Sequence, residues 1–130
     1  MTWESALATP SPKRHIVLVV EDEPILRLTA VDMVEAAGFE AVEAADATQA
    51  IIILETRPDI RIVFTDVDMP RGIDGARLAA LIRERWPPIE VILTSGKFDR
   101  DQIDIPSNSL FFSKPYKEAQ IVAAMRNFVA

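Results

Sequence analysis

Four short, nearly continuous apolar runs constrain this chain more than any other feature: "IVLVV" (16–20), "IVF" (62–64), "VIL" (91–93) and "LFF" (110–112). Strands with one wet face alternate apolar and polar residues. Strands buried on both faces do not, and uninterrupted runs of this length are what a parallel sheet covered by helices on both sides requires. A fifth segment, "FEAVEAA" (39–45), alternates more and suits an edge strand.

Helix-length segments separate the runs. Pro24 to Ala37 opens on a proline, suited to a first helical turn, and closes at Gly38, suited to the residue after a helix end. Ala47 to Thr56 is read as a second helix, ending before Pro58. Gly75 to Trp86 is a third, with Leu78, Leu81, Ile82 and Trp86 at helical spacing, and it stops at Pro87-Pro88. Tyr116 to Val129 is the last, with Ile121, Met125 and Phe128 on one stripe. Strand and helix alternating in this way imply an α/β fold with right-handed crossovers. One crossover is irregular. "GKFDRDQIDIPSNS" (96–109) is poor in apolar residues and carries Pro106, so at most a turn or two is expected around Arg100 to Ile103.

The 130 residues suit one domain, expected over 14–130, with 1–13 a flexible tail that lacks a signal-peptide apolar core. The absence of cysteine excludes disulfides, thiolate zinc sites and a cysteine nucleophile. A single histidine, His15, argues against a histidine metal cluster or a histidine triad. Net charge −6 argues against a nucleic-acid surface, and no apolar run approaches a membrane span. A cytoplasmic location is expected.

In an open parallel sheet, ligands bind beyond the carboxyl ends of the strands. After the first run come Glu21, Asp22 and Glu23; after the second, Asp66; after the third, Thr94 and Ser95; after the fourth, Lys114 and Pro115. Crowded carboxylates repel one another, and a hard divalent cation relieves this; oxygen-only ligands point to Mg²⁺, with Mn²⁺ the alternative. A phosphoryl group would meet Lys114 and the Thr94 hydroxyl opposite the metal, and an aspartate can itself take up that group as nucleophile. Taken singly, each residue also has a plain role: Asp22 as a cap ahead of Pro24, Thr94-Ser95-Gly96 as a turn, Lys114-Pro115 as a solvated loop.

The motifs "VVEDEP" (19–24), "TDVDMP" with "DG" (65–70, 74–75), "LTSG" (93–96) and "SKPY" (113–116), in this order, resemble the response-regulator receiver domain of two-component signalling over roughly residues 14–130. The resemblance implies a flavodoxin-like (βα)5 doubly wound parallel sheet with strand order 2-1-3-4-5, its fourth helix here short or irregular. It implies Asp66 as phosphoacceptor and Mg²⁺ held by Glu21, Asp22, Asp66 and the backbone carbonyl of Asp68. Lys114 would pair with the phosphoryl group, across a cis bond to Pro115, and Thr94 would hydrogen-bond it. Thr94 and Phe111 would form the conformational switch. It also implies a histidine kinase or histidine phosphotransfer protein as donor. The first turn of the first helix, Pro24 to Arg27, is the expected docking surface; the downstream target is not legible.

Two features depart from the family pattern. "RGI" (71–73) makes the loop before Asp74-Gly75 one residue longer than is common, with the extra residue expected to bulge at Gly72 on positive φ. The weak fourth helix departs from the face of helix 4, strand 5 and helix 5 that transmits the signal in typical receivers. Asp74 is expected to cap the third helix, and the Asp68 side chain to face solvent. Because the chain stops after the last helix, a stand-alone receiver is expected, rather than one cut from a hybrid kinase. Two alternatives stand beside this reading: a receiver-shaped scaffold that is never phosphorylated, and an aspartate-nucleophile phosphohydrolase suggested by "DVD" (66–68). The early acid pair and the lack of a cap domain weigh against the second.

Overall fold

A computed structural model describes residues 14–70 and 72–130. The expected tail, residues 1–13, and Arg71 lie outside the described residues. The chain alternates β1 (Ile16–Val20), α1 (Pro24–Ala36), β2 (Glu40–Ala44), α2 (Ala47–Thr56), β3 (Ile60–Asp66), α3 (Gly75–Arg85), β4 (Glu90–Ser95), a 3-10 turn (Arg100–Gln102), β5 (Leu110–Ser113) and α4 (Glu118–Phe128). All strand pairs are parallel, in the order β2-β1-β3-β4-β5. This is the flavodoxin-like receiver topology, with the weak fifth segment at one edge as its alternation suggested.

Alternate residues of the central strands feed two cores. Val17, Val19, Ile62, Phe64 and Ile92 pack with Val34 of α1 and with Ile121 and Met125 of α4. Leu18, Val20, Val63, Val91 and Leu93 pack with Leu54 of α2 and with Leu78 and Ile82 of α3. Burial of each such side chain stabilises the fold by roughly 1.5–3 kcal/mol. The continuous apolar runs are thus two interleaved faces, each covered.

A bulge keeps the faces in phase. Ile16 pairs with Ile60 but Val17 with Ile62, leaving Arg61 as an extra residue on β3. Ile60 therefore faces the α2/α3 core and Ile62 the α1/α4 core.

Helix ends follow local chemistry. Pro24 opens α1, and Gly38 follows its end at φ 95°. Asp46 caps α2 by accepting from the Gln49 amide at 2.8 Å, while the Gln49 side chain accepts from the Ala45 N–H at 2.9 Å. Asp74 caps α3, accepting from the Arg77 amide at 2.8 Å, as expected. The cap position of α1 belongs to Glu23, which makes no side-chain cap bond, so the capping role weighed for Asp22 is not realised.

Two expectations are corrected. The last helix begins at Glu118 rather than Tyr116. Tyr116 instead lays its ring edge-on to Phe64, centroids 5.9 Å apart. The run "LFF" is not buried on both sides: β5 is an edge strand and Leu110 is exposed. The crossover after β4 is as short as the sequence suggested, a single 3-10 turn with Ile105 tucked into the α2/α3 core. A groove of about 580 Å³ remains between α3 and this segment, bordered by Leu81, Phe98 and Ile103.

Candidate functional site

The strand alternation builds the site. Beyond Val17 and Val19 the same face reaches Glu21; beyond Ile62 and Phe64, Asp66; beyond Ile92, Thr94; and beyond Phe112, Lys114. Asp66 and Thr94 are register partners on β3 and β4. Glu21, Asp66 and Thr94 are buried; Asp22 is half-buried, and the Lys114 side chain is 26% exposed. One carboxylate oxygen from each of Glu21, Asp22 and Asp66 can lie within 4.8 Å of the other two. Lys114 Nζ is 3.1 Å from Asp66 Oδ2 and 3.6 Å from Glu21 Oε1. The Lys114–Pro115 peptide bond is cis.

Electrostatics follow from this crowding. Burial, with Asp66 and Asp22 nearby, pushes the Glu21 carboxyl up from its ordinary 4.5 to about 7 against the opposing Glu23 amide and Lys114. Burial likewise raises Asp66, outweighing its bond from the Asp68 N–H and the attraction of Lys114. Burial alone would lower Lys114, but Asp66 and Glu21 overcome it and the ammonium is held above its ordinary value. A site that raises its own carboxylates in this way is short of positive charge. An all-oxygen donor set of this spacing fits a hard divalent cation.

A cavity of about 460 Å³ opens beside these groups between α1 and the start of α4. Glu21, Asp66, Thr94 and Lys114 form its polar end, and Val19, Leu26, Phe64 and Tyr116 its apolar wall. Phe111 is on the other face of the sheet, half-buried against the α2/α3 core.

The expectation for the Asp68 side chain is overturned. It does not face solvent: Oδ1 accepts from Ser95 Oγ at 2.8 Å and Oδ2 from the Gly96 N–H at 2.9 Å. The Asp68 N–H meanwhile donates to Asp66 Oδ1 at 3.1 Å. Ser95 Oγ also accepts from the amides of Lys97 and Phe98 at 3.1 and 3.0 Å, and the Ser95 carbonyl accepts from the Lys114 N–H at 2.9 Å. Asp68 and Ser95 thus join the acidic loop to the segment after β4. Hydroxyls following a strand were legible in the sequence, but pairing across 27 positions was not. Substituting Ser95→Ala is expected to cost about 2 kcal/mol and to speed amide exchange at Lys97 and Phe98. A thermal midpoint and exchange rates unchanged from wild type would refute the tie.

A second residue missed from the sequence is Gly75. In the sequence it marks only a helix start. A Cβ there would run into the Asp66 carbonyl oxygen and sit 2.8 Å from the carbonyl carbon and 2.9 Å from Val67 Cα. Gly72, by contrast, takes φ 70° as expected, with open space where its side chain would be.

A doubly wound parallel sheet thus carries an acid triad, an aspartate–lysine pair and a strand-end threonine on one rim, the architecture of a receiver domain. Residues 17–126 match the response regulator receiver domain, and the chain belongs to that family. PilG of Pseudomonas aeruginosa is 29% identical over 119 residues, covering 87% of this chain and 86% of its own length. The aerobic respiration control protein ArcA of Escherichia coli K12 is 30% identical over 117 residues, 88% of this chain and 48% of its own length. The chain therefore spans most of PilG but about half of ArcA, and only 18% of the response regulator protein FleR and 12% of the sensor kinase CckA. Among solved structures, a response regulator receiver protein from Sinorhizobium medicae aligns with TM-score 0.81 at 26% identity, over 92% of this chain and 97% of that one. Among the described residues, no helix is long and apolar enough to cross a membrane.

Proposed function

We propose that this receiver takes up a phosphoryl group on Asp66 from a phosphohistidine of a histidine kinase or phosphotransfer protein in the cytoplasm, catalysing only its own phosphorylation and dephosphorylation. The observation that carries the reading is the Asp66–Lys114 contact of 3.1 Å within reach of the Glu21 and Asp22 carboxylates. A carboxylate oxygen of Asp66 attacks phosphorus, the bond from phosphorus to the imidazole nitrogen breaks, and the electron pair leaves with the imidazole. Lys114 exchanges its partner from the free carboxylate to the phosphoryl oxygens, and the Thr94 hydroxyl donates to one of them. Glu21, Asp22, Asp66 and the Asp68 carbonyl would hold Mg²⁺, or Mn²⁺ in its place. When bound, the cation supplies positive charge to the phosphoryl oxygens. Thr94, drawn toward the modified Asp66, would shift β4 and with it the packing of Phe111, giving two conformational states for a downstream protein to read.

The test is direct. Incubation with acetyl phosphate and Mg²⁺ is expected to add one phosphoryl mass to the intact protein, and chelation of the metal to prevent it. An unchanged mass with the metal present would favour a scaffold that is never phosphorylated.

The raised Glu21 carboxyl sets a pH dependence. Its folded value, about 7, lies above the ordinary 4.5, so the fold binds this proton more tightly than the unfolded chain does. The resulting stability is fully present below about pH 4.5 and is lost as pH rises through about 7. Asp66, shifted in the same direction, adds to it. The metal-free protein is expected to melt several degrees lower at pH 8 than at pH 5, and Mg²⁺ to recover more of that loss at pH 8 than at pH 6. Melting curves with and without Mg²⁺ across this range would show it; a metal-free midpoint that rises with pH would contradict the assignment.

A further inference from the structure

The loop bearing Glu21 and Asp22 is held by a residue outside the acidic site. Glu21 lies one position past the end of β1, so its carbonyl falls outside the strand ladder. Arg27, one turn into α1, supplies the missing donor: its Nη1 donates to the Glu21 carbonyl at 2.9 Å. The same guanidinium donates through Nε to Glu43 Oε1 on β2 at 3.1 Å. The Glu21 N–H donates to the Ala44 carbonyl on β2 at 3.1 Å, and Glu21 Oε2 accepts from the Glu23 N–H at 3.1 Å. Both backbone groups and the carboxylate of Glu21 are therefore fixed, and Arg27 is the part of that arrangement that bridges α1, the acidic loop and β2.

We propose that Arg27 is a positioning residue for the divalent-cation site, acting through the Glu21 carbonyl to hold the Glu21 and Asp22 carboxylates in place before the cation arrives. The inference rests on the metal-binding reading above. Three like charges drive the loop apart when no cation is present, so an unclamped loop must be reordered on binding. Outer partners that orient ligands typically contribute 10- to 100-fold in affinity. The guanidinium suits this task because its planar fork holds Nε and Nη1 in a fixed geometry toward two acceptors, whereas an ammonium is a point charge on a flexible stem.

The sign of the effect separates positioning from simple charge. Arg27 is a cation near the acid cluster. If it acted only through its charge, removing it would tighten cation binding. Positioning predicts the reverse. In calorimetric titrations of the full chain with MgCl₂ at pH 8, Arg27→Ala is expected to bind at least about tenfold more weakly than wild type. Arg27→Lys, which keeps the charge but loses the planar fork, is expected to fall between the two. Metal-free melting temperatures of wild type and Arg27→Lys should agree within a few degrees, so that a loss of affinity in that variant cannot be a loss of fold. Equal or tighter binding by both variants would overturn the proposal while leaving the phosphoacceptor reading intact. A wild-type protein that takes up no Mg²⁺ would overturn both.

Discussion

Asp66→Asn is expected to abolish phosphoryl uptake from acetyl phosphate and, at pH 8, to raise the melting temperature of the metal-free protein. The first effect follows from the chemistry: an amide is not a nucleophile toward phosphorus, and none of the neighbouring groups reproduces the in-place carboxylate. The second follows from the raised Asp66 carboxyl. A carboxylate that binds its proton more tightly in the fold than in the unfolded chain is, when ionised, a net destabiliser. The pairing with Lys114 at 3.1 Å opposes this, but burial outweighs it. Asparagine is nearly isosteric and carries no charge, so it should relieve the crowding with Glu21 while its amide oxygen still accepts from Lys114. Mass measurement checks the first effect and melting curves at pH 8 without metal check the second. A lower midpoint would mean that Lys114 pairing, not burial, governs Asp66. Mg²⁺ should stabilise the variant less than wild type, because one of the three clustered carboxylates is gone.

The second large effect is at Gly75. Introducing a methyl group there forces it into the Asp66 carbonyl group and against Val67 Cα, and backbone cannot move aside as the end of a flexible side chain would. Overpacking of this kind costs about 1–3 kcal/mol or more, so Gly75→Ala is expected to lower the midpoint by roughly 5–10 °C and to weaken phosphoryl uptake by displacing Asp66. Gly72→Ala is the control in the same loop. Its cost is conformational only, about 1 kcal/mol for holding positive φ with a side chain, with no clash and no effect on Asp66. If the two alanine variants lost similar stability, close packing of α3 against β3 would not be what requires glycine at 75.

The two glycines show why one part of the loop was legible and the other was not. Gly72 stood out because an added residue in a turn needs a backbone conformation that glycine provides, and that requirement is local. Gly75 looked like any helix start. What demands glycine there is the approach of α3 to the backbone of Asp66, which no spacing in the sequence records. The same distinction runs through the site. Glu21, Asp66, Thr94 and Lys114 are recognisable because they follow the apolar runs, and a parallel sheet carries the carboxyl ends of its strands to one rim. Asp68 was misread as solvent-facing because its partners, Ser95 and Gly96, arrive on another strand. Arg27 was read as a docking residue on the first turn of α1, and its bond to the Glu21 carbonyl was invisible without the fold.

By itself, then, the sequence determined the layered α/β architecture, most helix ends, the acidic rim and the weakness of the fourth crossover. These depend on periodicity, capping and composition, all properties of neighbouring residues. Only the tertiary structure decided the bulge at Arg61 that keeps Ile62, Phe64 and Asp66 in phase with β1, the partial exposure of β5, the Asp68–Ser95 tie and the Arg27 clamp. The Asp68–Ser95 tie and the bond from Arg27 to Glu43 join different elements of the fold, and which donor meets which acceptor there is set by how strands and helices pack rather than by what stands next to what.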